Sequence, residues 1–545
     1  MAELSSDALR GKRGNSNSGS GQRTALKRIT GILKYVGIAL ALLLLIGGVA
    51  LFLAYQGSLI PDKINMSSAR MSGGDMSNMP GMAMGTPGPG ATHISALVVT
   101  DTNRPVRSFT LTAQPARIDL GNGKTVNAYT FCGSLPGPEL RVQQGDLVVV
   151  TVTNKLPVST SVHWHGIAVP NSQDGVAGLT QDAIKPGQSY TYRFVANDVG
   201  TYWYHSHQDT SVQLPLGLYG PLIVDPKDPP VHYDRDYTLL LHEWYNGGTC
   251  QQTCPETLML NGRDDKITFA ANPGENVRLR IVNAGDDFHS PVLVGAPFKV
   301  IALDGHDLNA PALLKDKTLE IADAQRYDLS FVMPPSGSVA LIDANPRALP
   351  AGQHPVAIFG NSGADSTNFA YPANLPAFDF TTYGTPLSPA AARDTITLDT
   401  PFTAKYDMVL DNQLGFYNGE FTMKFMIDGT TYPNIPSIKV KLGDIVKIHM
   451  VNNGNIPHSM HLHGHTFTVL AHNGVPLSGS PVRQDTVAVR PGESVDVAFA
   501  ATNPGLWMLH CHITAHDAHG MDMMVEYPGI YTPYTIGPTS GNNPF

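Results

Sequence analysis

Between Met508 and Met524 the chain reads MLHCHITAHDAHGMDMM, with one cysteine, four histidines and four methionines in seventeen residues. Thiolate, imidazole and thioether are all ligands for soft or borderline transition metals. Three other segments carry alternating histidines: His163 and His165 in HWHG, His205 and His207 in YHSH, His461 and His463 in HLHGH. His510 and His512 in HCH complete four His-x-His pairs. Residues i and i+2 of a strand share a face, so each pair presents two imidazoles together, suited to gripping one ion or bridging two. Core packing explains a single pair. Four of them, all outside the middle of the chain, point to a shared multinuclear site.

A second set surrounds Cys511. His458 lies three residues before His461, His516 five after Cys511, and Met521 five after His516. Two histidines, a thiolate and a weakly bound methionine are the ligands of an electron-transfer copper. His510 and His512 flank Cys511, so one backbone stretch ties a one-electron copper to the multinuclear cluster.

HWHG, GTYWYHSH, HSMHLHGHTF and HCHITAHDAHGM together resemble the signature segments of the three-domain multicopper oxidases, laccase-like, in a bacterial, membrane-anchored form. The resemblance spans roughly residues 95–530. It implies an all-β chain of three cupredoxin-like Greek-key β-sandwich domains in series. By position, it implies that His458, Cys511, His516 and Met521 hold a type 1 copper and that His163 and His461 hold a type 2 copper. His165, His205, His207, His463, His510 and His512 then hold the binuclear type 3 pair, four copper ions in all. The implied reaction is one-electron oxidation of phenols or aromatic amines at type 1 copper, with Cys511 as conduit, coupled to four-electron reduction of O2 to water. Asp174, in DGV, matches the acidic residue near the type 2 copper, and Asp517 stands where bacterial relatives often carry a glutamate associated with proton delivery. Both are expected as proton relays, against the plainer reading of solvated loop aspartates. Two departures stand out: Ser459 replaces a common proline, and Thr514 stands where several relatives carry a carboxylate.

The other ten histidines match no ligand position. His465 is expected to support the neighbouring ligand loop, and His519 to lie at the surface or behind a ligand. Met508, Met523 and Met524 are expected in the core. Rival functions are a cuprous or other metal-ion oxidase, a copper store and a structural cupredoxin repeat.

The elements that position these residues follow from the rest of the sequence. The 545 residues are 42% hydrophobic and 15% charged, with Gly 53 and Pro 42, a turn-rich composition that favours strands. A net charge of −9 leaves no basic footprint for nucleic acid. A domain-sized repeat appears as QQGDLVVVTVTN, NPGENVRLRIVN and KLGDIVKIHMVN, one copy in each of three β-rich units, 93–226, 227–385 and 386–530. Residues 531–545 are expected to be irregular, and the enzyme a monomer.

Tyr35 to Tyr55 is an uncharged apolar run long enough to cross a bilayer. Seven basic residues precede it (Arg10, Lys12, Arg13, Arg23, Lys27, Arg28 and Lys34), which places residues 1–34 as a disordered cytoplasmic tail and the catalytic units outside. Secretion after signal cleavage is the alternative. The linker 56–92 holds Met66, Met71, Met76, Met79, Met82 and Met84 among Gly, Ser and Pro, expected to be exposed and available to Cu(I) or else inert. Cys250 and Cys254 are spaced for either a local disulfide or a free pair. Cys132 is expected to be a small buried hydrophobe.

Overall fold

A computed structural model describes residues 19–66, 90–121, 123–245, 256–343, 356–360, 372, 374–388, 390–392 and 395–545. Cys250, Cys254, the distal linker methionines (Met71 to Met84) and residues 1–18 lie outside the described residues.

Six of the sheets fall into three pairs along the chain. The first pair contains the strands Lys124–Phe131, Val106–Gly121, Leu147–Asn154 and Ser189–Val195 in one sheet. The other sheet orders Leu140–Gln143, Tyr219–Asp225, Gly200–His205 and His163–His165. A six- and a four-stranded sheet follow, then a seven- and a five-stranded sheet. The all-β, cupredoxin-like architecture expected from the sequence is therefore present.

The repeated phrase is a folding unit with a physical reason for each letter. Its glycine, Gly145, Gly274 or Gly443, turns with φ of +85°, +82° or +91°, a region open to a residue without Cβ. The acidic residue that follows accepts the N–H three residues back: Asp146 from Gln143 (2.9 Å), Glu275 from Asn272 (2.8 Å) and Asp444 from Lys441 (2.6 Å). Alternating apolar residues then enter the strands Leu147–Asn154, Asn276–Asn283 and Ile445–Asn452. The closing asparagines, each fully buried, all bond in the same way. Asn154 donates to Val158 and Ile184 carbonyls, Asn283 to Asp287 and Ile321, and Asn452 to Ile456 and Val489. Each also accepts the N–H two residues on.

By contacts the chain forms two compact units. One is Met1–Leu59 with Phe416–Phe421, and the other is Ile60–Gly415 with Thr422–Phe545. The first contains a helix, Gly19–Ser58, of 40 residues. It begins well before Tyr35 because Leu26, Ile29, Ile32 and Leu33 sit among good helix formers, and propagation adds a bond per residue. Its Leu26–Ser58 portion is apolar enough to cross a membrane.

Two expectations fail. Cys132 is exposed rather than buried. It occupies a turn with φ +60° after the strand Lys124–Phe131, where the chain leaves the sheet. Met66 is fully buried rather than exposed, packed with Ile64, Ile94, Met508, Met524 and Ile536. The segment leading to it pairs with the C-terminal tail through mutual Ile64 and Ile536 backbone bonds of 3.0 and 2.8 Å, which draws the thioether inward. Residues 532–545 form no longer strand or helix.

The Asn283 side chain makes three hydrogen bonds to backbone groups in a sandwich that carries none of the candidate ligands. Asn283→Ala is expected to destabilise the protein by about 3 kcal/mol, read as a lower thermal midpoint.

Candidate metal centres

The first and third sandwiches build their histidines in the same way. A short strand, His163–His165 or His458–Leu462, lies antiparallel to a longer one, Gly200–His205 or Leu506–Cys511. Register sets His163 opposite His205 and His461 opposite His510. Across the two sandwiches, His165 stacks on His461 with centroids 3.8 Å apart, and His163 stacks on His463 at 4.0 Å. Three buried sets result: His163/His165/His461, His165/His205/His512 and His207/His463/His510. Within each set the ligand atoms lie within 4.8 Å of one another.

Most of these rings use one nitrogen as an anchor. Nδ1 of His163 meets the Asp174 carbonyl (2.8 Å), His461 Nδ1 the Asp485 carbonyl (3.0 Å), and His205 Nδ1 the Ser206 carbonyl (2.9 Å). His463 Nδ1 lies 2.8 Å from Asp174 Oδ2, His512 Nδ1 3.1 Å from Asp323 Oδ2, and His165 Nε2 3.0 Å from Asp485 Oδ1. Such anchoring fixes the tautomer and aims the other nitrogen. The free nitrogens of His163, His165 and His461, and both of His207, are buried without a protein partner. Others face each other: His463 Nε2 lies 3.1 Å from His510 Nε2, and His512 Nε2 lies 3.4 Å from His205 Nε2. Two nitrogens sharing a tetrahedral ion at about 2.0 Å sit about 3.3 Å apart. Burial first, and neighbouring imidazoles second, hold His205, His207, His463, His510 and His512 well below the usual imidazole range. The neutral ring is the form that binds metal, so the donor set fits a cluster of copper ions.

The second centre lies on the same strand. Cys511 Sγ is 3.4 Å from His516 Nδ1 and 3.7 Å from His458 Nδ1, and all three residues are buried. Burial pushes the Cys511 thiol up and takes His458 down to about 3. An ion entering here must therefore displace a thiol proton. Met521 is buried, and its backbone is pinned to the site: its carbonyl accepts the Cys511 N–H (3.0 Å) and its N–H donates to the His516 carbonyl (3.1 Å). Phe425 lies flat on the His516 imidazole, with centroids 3.8 Å apart.

The two expected relay aspartates are both buried. Asp174 bridges His163 and His463 as described. Asp517 Oδ2 lies 3.5 Å from His510 Nδ1, and burial together with Asp522 raises its carboxyl well above the ordinary range. His465 accepts its expected place, with Nδ1 3.2 Å from the His463 carbonyl. His519 turns to the Ala515 carbonyl at 2.6 Å, while Met508, Met523 and Met524 are core. The Ser459 carbonyl receives the His512 N–H at 2.7 Å.

Four supporting residues carry no sequence signature. Asp485 takes both Arg326 Nη atoms, at 2.7 and 2.5 Å, besides contacting His165 and His461. Although burial opposes its ionisation, Arg326 and these bonds hold the Asp485 carboxyl well below its usual range. Asp323 backs His512, and burial together with the Asp286 and Glu243 carboxylates pushes it well up. Asp286 accepts both the N–H (3.1 Å) and the hydroxyl (2.9 Å) of Thr514. A carboxylate thus reaches Thr514 from the second sandwich. Arg326, Asp323 and Asp286 all lie in that sandwich, which supplies no candidate ligand.

Comparison with known proteins agrees with this geometry. Residues 112–229, 232–339 and 407–528 each match a family profile described as multicopper oxidase. Multicopper oxidase MmcO of Mycobacterium tuberculosis is 33% identical over 461 residues, covering 77% of this chain and 86% of its own. The chain belongs to the three-domain multicopper oxidases. Laccase-1 of Fomitopsis schrenkii is 31% identical to this oxidase, over 74% of this chain and 84% of its own. The crystal structure of Fet3p, a multicopper oxidase that functions in iron import, matches the fold with a TM-score of 0.69. It is 24% identical and covers 78% of this chain and 91% of that one. The oxidase is thus a copper-dependent oxidoreductase with a type 1 and a trinuclear arrangement of ligands.

Two outcomes follow. Asp485→Asn keeps the shape but weakens the hold on His165 and Arg326, and copper affinity is expected to fall about 10- to 100-fold, read as copper retained after dialysis. Burial first raises Asp286 to about 7. Between about pH 4 and pH 7 an unfolded chain has already ionised this group, so the folded state loses stability as pH rises through that window. Asp286→Asn should therefore raise the thermal midpoint more at pH 8 than at pH 4.

Proposed function

We propose that this oxidase is laccase-like, removing single electrons from phenols or aromatic amines and passing them to O2. The observation that carries the reading is the strand Leu506–Cys511 with His512, which joins Cys511 directly to two histidines of the cluster. His458, Cys511, His516 and Met521 would hold type 1 copper, and His163 and His461 type 2 copper. His165/His205/His512 and His207/His463/His510 would hold one type 3 ion each. Bound there, copper supplies one-electron acceptance at the first centre and four-electron reduction of O2 to water at the second.

The chain's own residues would do the rest. Cys511 offers a covalent path between the centres. The buried walls exclude water from the cluster, and Asp174 and Asp517, both beside ligand imidazoles, are placed to hold protons that water formation consumes. The domains would run 93–226, 227–385 and 386–530. The apolar helix would remain as a single-pass anchor, with its basic flank cytoplasmic and the sandwiches outside.

A metal-ion reading has its own support in the methionines of the linker, since thioethers select Cu(I). Met66 belongs to the core, so only Met71 to Met84 are candidates for capture.

Oxygen uptake by the copper-loaded chain, measured with phenols, aromatic amines, Cu(I), Fe(II) and Mn(II), tests both. Turnover of phenols that survives deletion of 71–84 is the expected result. Turnover confined to Cu(I) and lost with that deletion would replace the laccase reading with the metal-ion one. No uptake with any donor would remove both.

A further inference from the structure

The strands Ala404–Tyr417 and Glu420–Ile427 form a hairpin around Asn418 and Gly419, with φ of +48° and +80°. Positive φ at both central positions is the two-residue turn that matches the twist of a hairpin. The first strand is paired with Ile445–Asn452 only as far as Leu410. Residues 411–417 continue with the returning strand as their sheet neighbour, a ribbon of about 23 Å at about 3.3 Å per residue. Such a two-stranded ribbon is marginal in water unless something covers a face.

The end of this ribbon exposes two large apolar side chains. Leu414 is 59% exposed and Phe421 62%. Phe416 meets Phe421 edge-on, with centroids 5.3 Å apart. Between 412 and 423 the sole charged side chain is Glu420. Residues 416–421 group with the apolar helix as one compact unit. Inside that unit Phe416 meets Tyr55 edge-on at 5.9 Å. The Asn418 N–H donates to the Ser58 carbonyl at 2.9 Å, and the Gly419 N–H to the Ser58 hydroxyl at 3.1 Å. Ser58 ends the helix, and Tyr55 ends its uncharged apolar run. A tyrosine in that position suits the membrane–water interface.

We propose that the hairpin tip, Phe416 to Phe421, is a second membrane contact, seated in the interfacial layer of the bilayer beside the helix exit. The inference rests on the helix being an uncleaved anchor. Lipid is the occupant because the tip is bonded to the end of an element that meets lipid along its length. The apolar face of an interfacial amphipathic helix enters the headgroup–acyl boundary by about 5–10 Å, and an apolar hairpin tip meets the same layer. With no basic residue in the tip, the contact is apolar and independent of anionic headgroups.

Photo-crosslinking tests this on the full chain in phosphatidylcholine vesicles. A p-benzoylphenylalanine is placed singly at position 421, at 475 (Val475, 65% exposed) or at 44 (Leu44 of the helix, 77% exposed). Mass spectrometry then counts lipid adducts. About tenfold more adduct at 421 than at 475 is expected for an interfacial residue, unchanged by salt or added anionic lipid. Equal yields at 421 and 475 overturn the proposal, as does an adduct at 421 that needs anionic lipid. The probe at 44 reports the anchor separately. If it gives no adduct the anchor reading fails, and the tip is still judged by 421 against 475.

Discussion

Asp485 is a carboxylate with no exposure to water, and its charge has to be answered where it lies. Arg326, equally buried, answers it with both ends of its guanidinium. Leaving such a charge without its partner costs about 3–5 kcal/mol, so the pair holds the second and third sandwiches in one arrangement. The same carboxylate group reaches His165 of the first sandwich, and its residue's carbonyl holds His461 of the third. One residue thereby sets two candidate ligands against a fixed cation. The cluster's geometry depends on this three-way junction as much as on the histidines.

The junction explains why a sandwich without ligands is present at all. Its Arg326 neutralises Asp485, its Asp323 aims His512, and its Asp286 grips Thr514 between the candidate ligands His512 and His516. Farther in, His289 is bonded by both ring nitrogens to carboxylates, those of Glu243 and Asp343. Glu243 in turn accepts the Asp286 N–H at 2.9 Å. Rigid support of this kind matters because ligand precision is set by the groups behind the ligands.

Much of this was legible in the residues alone, for identifiable reasons. The His-x-His pairs could be read because strand side chains repeat every two residues, and the repeat could be read because its glycine, acid and asparagine each answer a backbone need. Asp485, Arg326, Asp323 and Asp286 could not. Each is one ordinary charged residue in an ordinary strand or turn, and its role arises from a neighbour more than 150 residues away. Met66 was misplaced because composition describes the linker as a whole, whereas the residues just before it are drawn in where Ile64 pairs with Ile536. Cys132 was misplaced because residue type predicts average burial and not the edge of a turn.

The strand Glu420–Ile427 has Phe421 at one end and Phe425 nearer the other. Phe425 is the ring lying on His516, so the strand that presents an apolar tip also roofs a candidate copper ligand. Four residues of extended backbone span about 14 Å and resist stretching along their length. The hairpin therefore has the mechanics of a push-rod. A shift of the strand along its own axis would be felt as pressure or slack at the imidazole, so the packing of His516 depends on where this strand sits.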